Sequence, residues 1–174
     1  MWLLLLIFLG VALLTRTALL IKTGSAIESG LINLLQIFGL GLVFDLIAAS
    51  YFFIPLALFL FLVPDRVYRW PPFRWLLLAG TVVWIFIMLF NAAGEWTFWD
   101  EFGSRYNFIA VDYLIYTHEV VGNIVESYPI GLILSGLTLL SLGLAWGIRR
   151  WLWASHHVES HYAGRAVWLL FLLT

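Results

Sequence analysis

Cysteine is absent from this sequence. That excludes disulfides, thiolate metal centres and cysteine nucleophiles, and it leaves the redox compartment open. Charge is scarce as well. Asp, Glu, Lys and Arg make up 11% of the 174 residues, where a soluble domain carries about 25%. Nor is there an excess of one sign. Nine basic against ten acidic side chains leave a net charge of −1, so no basic field points to nucleic acid. What is there instead is apolar. Hydrophobic residues make up 63% and the mean hydropathy is +1.00. Long apolar runs in such a background indicate an integral membrane protein. Ten tryptophans, within an aromatic content of 18%, suit interfacial belts around several spans.

The first apolar run is too poorly flanked to be a signal peptide. No basic region precedes it and no small-residue cleavage site follows it. A first transmembrane helix over residues 2–21 is the better reading, with Arg16 snorkelling or the span ending early. Thr23-Gly24-Ser25 is a plausible break. Ile27, Leu31, Leu34, Leu35 and Phe38 then recur at helical spacing, as in a short amphipathic helix leading into the next span. The second span covers residues 39–63. Gly39 and Gly41 at its start allow close helix contact or a bend, Asp45 lies inside it, Pro55 sits mid-span, and Pro64 and Asp65 stop it. A third span follows at 75–91. A fourth, rich in Gly and Ser, spans 130–148 and ends at Arg149 and Arg150. From Ala166 the chain turns apolar again, and about nine residues is short of the roughly 20 a span needs, so a truncated fifth helix is expected over 166–174. The expected fold is therefore an all-α integral membrane domain of four complete transmembrane helices and a truncated fifth.

Basic residues set the expected orientation. The connections after spans one to four hold two, three, one and three Lys or Arg. Basic loops stay in the cytoplasm, which places the N-terminus, the second connection and the fourth there. The third connection, residues 95–129, is then external. It holds six of the ten acids (Glu95, Asp100, Glu101, Asp112, Glu119 and Glu126) and a single basic residue, Arg105. Gly103-Ser104 marks a turn, and Arg105 is placed to pair with Asp100 or Glu101. Asp112, Tyr116, Glu119, Asn123 and Glu126 are spaced +4, +3, +4, +3, which puts them on one helical face. Leu114, Val121 and Val125 lie opposite, with Ile109, Val120 and Ile124 on the flank. The pattern reads as an external amphipathic helix between spans three and four, ended by Pro129. Its acidic stripe is either a solvated face or a docking and substrate-gating surface. An acidic face is a poor match for anionic headgroups, which favours a protein-facing role.

The segment NFIAVDYLIYTHEVVGNIVESYP, residues 107–129, closely resembles the region between the third and fourth spans of the lipoteichoic acid synthase-like family. These are phosphoglycerol and related transferases of the alkaline phosphatase/sulfatase superfamily. GLGLVFDLIAASYFFIPLALFLFLVP, residues 39–64, is similar to that family's second span, Asp45 included, and AGEWTFWDEFGSRYNF matches the family's entry to the external segment. The resemblance covers nearly the whole chain. It implies a five-helix domain in a bacterial cytoplasmic membrane, followed by an external catalytic domain. That domain would carry a Thr nucleophile and a divalent metal such as Mn or Mg, held by Asp, Glu and His. It would move phosphoglycerol, or a related headgroup, from an anionic phospholipid donor to a glycan or lipid acceptor. This chain carries no nucleophile motif, so no catalytic residue and no cofactor are assigned to it. Its implied partners are membrane lipids and the absent catalytic domain. The candidate substrate or domain-docking residues are Asp45, Glu95, Asp100, Glu101, Arg105, Asn107, Asp112, Tyr116, Glu119, Asn123 and Glu126.

Other readings compete with this one. Intramembrane acids are functional by default, so Asp45 alone suggests a small transporter or channel subunit. Its carboxylate either holds a structural partner, an Arg or Asn of the acidic stretch, or serves substrate. His156, His157, Glu159 and His161 match no specific metal-site spacing, and no His sits in a span core where haem would need one. Glu95, Asp100, Glu101 and Glu119 as acid/base pairs lack a nucleophile or metal beside them.

Overall fold

The computed structural model of the chain describes residues 2–24, 30–68, 70–115, 117–155 and 167. Among the described residues there are seven helices and no strand. They are α1 (Trp2–Thr23), α2 (Leu31–Leu62), α3 (Asp65–Tyr68), α4 (Phe73–Phe102), α5 (Phe108–Ile115), α6 (Thr117–Ser127) and α7 (Ile130–Ser155). Four of them, α1, α2, α4 and α7, are long and apolar enough to cross a membrane.

These four helices are suited to an apolar surrounding in two ways. Their large side chains point outward, as at Leu14, Phe44, Leu132 and Leu139. Water would penalise such a surface, and lipid would not. In addition, several of their hydroxyls are satisfied within the helix. Thr15 and Thr17 of α1 donate to the carbonyls of Val11 and Leu13 at 2.9 and 2.8 Å. Ser135, Thr138 and Ser141 of α7 donate to Leu132, Leu134 and Leu137 at 3.0, 2.7 and 2.6 Å. A hydroxyl bonded to its own backbone needs no water and no neighbouring helix.

The helix ends follow local chemistry. Gly24 and Gly103, directly after α1 and α4, both adopt positive φ (56° and 60°), the left-handed conformation that stops a helix and that glycine reaches without Cβ strain. Pro64 and Pro72 accept the first backbone bonds of α3 and α4, and Pro129 those of α7. Proline fits there because a first-turn N–H would have no helical partner.

Three extents differ from the sequence reading. The fourth apolar helix, expected to end at Arg149 and Arg150, continues through them to Ser155. Residues 31–38, expected as a separate amphipathic helix, run without interruption into α2, through Gly39, Gly41 and Pro55. The helix containing the third apolar run continues to Phe102, so Glu95, Asp100 and Glu101 belong to α4 and not to a loop. Leucine-rich and aromatic helix formers continue across all three boundaries, and no residue there forces a stop. Ile27 and Glu28, the histidines at 156, 157 and 161, and the expected fifth helix, except Val167, lie outside the described residues.

The chain divides into two compact units, Met1–Gly80 with Ile148–Thr174, and Thr81–Gly147. In the first, α1 and α2 form an antiparallel hairpin. Phe8 packs on Phe52 and Phe53 at 5.6 and 6.2 Å between ring centroids, while Arg16 meets Asp45. Moving eight residues back along α1 thus moves seven or eight forward along α2. The buried residues of α2, Asp45, Ala49, Phe53 and Ala57, recur every fourth position and form one stripe. Phe59 and Tyr68 pack on Phe73, and Trp75 meets Trp153 edge-on at 5.6 Å, which gathers the C-terminal end of α2, α3, the start of α4 and the end of α7. In the second unit, Ile85, Ser141 and Ala145 are fully buried.

Ala145 and Gly143 therefore respond differently to enlargement. Ala145→Leu should lower stability by about 1–3 kcal/mol, because a sealed site has no room for three more carbons. At Gly143 a Cβ meets nothing within 4 Å, so Gly143→Ala should leave stability level or slightly raised. Denaturation midpoints in detergent micelles would separate the two.

Candidate functional site

Asp45 and Arg16 are each buried, 9% and 5% exposed. Arg16 Nη2 donates to Asp45 Oδ2 at 2.7 Å. The arginine does not snorkel, and α1 does not end near it; the helix continues seven residues further, to Thr23. Asp45, read from the sequence as either a structural partner of the acidic stretch or a substrate contact, holds an arginine of the first helix. The physical reason is the hairpin register, which brings positions 16 and 45 level. Gly41 completes the arrangement. It lies one turn before Asp45 on the same face, and a Cβ there would overlap the Arg16 guanidinium. Glycine at 41 is thus the recess that lets the guanidinium approach its carboxylate. Gly39, by contrast, has open space around it.

The acidic stretch is organised from within. After Gly103 the chain reverses and lays Arg105 and Tyr106 back along the last turns of α4. Arg105 grips Glu95 with two bonds, Nε to Oε1 and Nη2 to Oε2, the latter at 3.1 Å. A bidentate guanidinium–carboxylate pair is the strongest geometry these groups have. The Glu95 side chain is 7% exposed and that of Arg105 42%, so the acid is enclosed and the base faces outward. The partner expected for Arg105 was Asp100 or Glu101; the structure shows Glu95, about one and a half turns nearer the helix centre. Tyr106 lies over Phe98 at 5.1 Å, and Phe98 over Phe102 at 4.5 Å. The Tyr106 hydroxyl occupies the place a Cβ of Gly94 would take. Burial of this hydroxyl, and then the nearby Glu95 carboxylate, raise the Tyr106 phenol above its ordinary range.

Asn107 closes the clasp and starts the next helix. Its Oδ1 accepts from the Ile109 N–H at 2.9 Å, and its Nδ2 donates to Ser104 Oγ at 3.1 Å. The first is an N-cap bond, which satisfies one of the donors that a helix start leaves open. Beyond it, Phe108, Val111 and Ile115 of α5 are all exposed, while Asp112 is half-buried. On α6, Asn123 and Glu126 are exposed, as are Val121, Ile124 and Val125. Tyr116, between α5 and α6, and the Glu119 side chain lie outside the description. Asp100 and Glu101 sit on the exposed side of the last turn of α4.

Of the sequence-derived candidates, the structure brings Glu95, Arg105 and Asn107 into one local assembly, and it places Asp45 separately with Arg16. Sequence reasoning gave Gly41 a close helix contact without naming Arg16 as what fills it, and it missed Gly94 and Tyr106. Glycine one turn before, or directly beside, an acid within a helix was the available signal. No group of three or more His, Asp or Glu among the described residues is placed to hold a metal ion.

Both ion pairs are testable. Arg16→Leu or Asp45→Leu alone should cost about 3–5 kcal/mol, because each leaves a buried charge unpaired. The double variant should recover most of that loss, and Gly41→Ala should be destabilising where Gly39→Ala is not; a thermodynamic cycle in detergent measures all of these. For the clasp, Glu95→Gln should speed tryptic cleavage after Arg105. A raised Tyr106 pKa means that its neutral form favours folding. That contribution is complete below the unfolded value of about 10 and is lost as pH rises through the folded value. An ultraviolet difference titration of wild type against Tyr106→Phe should show one late-ionising tyrosine, and clasp opening should follow it.

Compared with known proteins, the chain matches no family model, and no curated protein or solved structure matches it either.

Proposed function

We propose that this chain is the membrane-anchoring and lipid-presenting domain of a transferase that moves phosphoglycerol, or a related phospholipid headgroup, to an acceptor outside a bacterial cytoplasmic membrane. In this reading α1, α2, α4 and α7 cross the membrane and a fifth helix follows them. The N-terminus is cytoplasmic, and residues 95–129 are external. The observation that carries the reading is the pre-formed assembly of Glu95, Arg105, Tyr106 and Asn107. A connection that only linked two spans would not need an enclosed bidentate ion pair, a recessed glycine and a capped helix. The exposed Phe108, Val111 and Ile115 stripe of α5 suits a helix lying in the headgroup region. The resemblance of residues 107–129 to lipoteichoic acid synthase-like proteins supplies the reaction class. The clasp fixes where α5 leaves α4, and so fixes the surface offered to a catalytic domain and to its lipid donor.

Asp45 takes a structural part in this proposal. Its carboxylate is already neutralised by Arg16 at 2.7 Å, which favours a fixed pair over the ion-carrying acid of a transporter.

The protein isolated from its native membrane should be several times heavier than 19.9 kDa and should release diacylglycerol from labelled phosphatidylglycerol. Glu95→Gln in that protein should lower turnover while leaving it in the membrane. A native species of 19.9 kDa that releases nothing from phosphatidylglycerol would overturn the proposal. So would solute flux through the purified protein in liposomes that Asp45→Asn abolishes.

A further inference from the structure

The end of the first unit where α4 begins and α7 finishes carries a second set of chemistry. Arg74, in the first turn of α4, places its guanidinium carbon 5.4 Å from the centre of the Trp153 ring. Trp75 packs edge-on against the same ring at 5.6 Å. Arg149 and Arg150 precede Trp153 by four and three residues on α7, so they lie one turn away on the side that the ring occupies. Arg74 and Arg150 are exposed. The sequence from 63 to 74 carries three arginines against one acid, Asp65, and the last ten residues of α7 carry two arginines and no acid. Positive charge therefore converges from two helices that the Trp75–Trp153 and Arg74–Trp153 contacts hold side by side.

The surroundings of these arginines select the partner. Trp70, Trp75 and Trp151 are 61%, 49% and 72% exposed. Tryptophan presented outward at the level of arginine, at the ends of apolar helices, is the arrangement of a membrane–water interface. Stacking on an indole uses the face of a guanidinium and leaves its N–H edge free to bond in the plane. That edge matches two oxygens of a phosphodiester. We infer that Arg74, stacked on the Trp153 ring, and Arg150, one turn before that ring on α7, form a binding site for the phosphate headgroup of an anionic phospholipid in the leaflet at this end of the helices.

The site needs only that α4 and α7 cross a membrane. It is distinct from the clasp at Glu95, which lies near the other end of α4, and from any lipid consumed there. Its failure would leave the transferase reading standing, and the reverse also holds.

The test uses the full chain in detergent, titrated with phosphatidylglycerol or phosphatidylcholine and read by native mass spectrometry as lipid retained. Wild type should retain phosphatidylglycerol over phosphatidylcholine, and Arg74→Gln with Arg150→Gln should reduce that preference on the order of tenfold. Arg74→Lys keeps the charge but not the planar fork and should fall between. Lys22→Gln, which removes one charge at the end of α1, should change nothing. Equal retention of the two lipids by wild type would overturn the inference. So would a preference unchanged in the Arg74/Arg150 variant, or one that Lys22→Gln reduces as much.

Discussion

An ionised side chain held away from water needs a counter-charge within bonding distance, and the placement of polar groups in this molecule follows from that need. A lone arginine or aspartate in the middle of an apolar helix costs roughly 3 kcal/mol to insert. Arg16 and Asp45 meet that cost jointly through one bond of 2.7 Å. The hairpin register, the buried stripe along α2 and the glycine at 41 all serve this contact. A Cβ at 41 would overlap the guanidinium where it now sits; without the register the two charges would face different surroundings.

The second unit solves the same problem with different geometry. Glu95 is enclosed by a chain reversal and not by a neighbouring long helix, and its partner comes from ten residues downstream. Gly94 again stands beside the acid and admits another group, here the Tyr106 hydroxyl. In both places a glycine makes room for the tip of a long polar or aromatic side chain. In both, one helix carries the acid and another segment delivers the cation. The two pairs differ in exposure. The Arg16–Asp45 pair is sealed on both sides, while Arg105 opens outward.

Much of this was legible in the sequence, and the gaps have physical causes. The four long helices follow from runs of apolar residues, and their breaks follow from Gly24, Pro64, Gly103 and Pro129, each of which acts through its own backbone. The extra turns of α4 were not legible, because Glu, Thr and Trp are compatible with helix and with an interfacial loop alike. The partner of Asp45 was hidden for a different reason. Ion pairing between helices depends on register, and register depends on how side chains such as Phe8, Phe52 and Phe53 interlock, which no local pattern reports. Arg105 could be seen to need an acid, but three were within reach. The choice of Glu95 was set by the left-handed turn at Gly103, which sends the chain back along α4.

The sharing of one ion pair between the first two helices also bears on how the protein is made. As α1 emerges during synthesis it carries Arg16 with no counter-charge, and α2 on its own carries Asp45 in the same state. Neither is a comfortable solitary occupant of the bilayer. Together they are neutral and interlocked. Charge balance thus ties the two helices to each other, so the pair is expected to enter an apolar medium more readily than either helix alone.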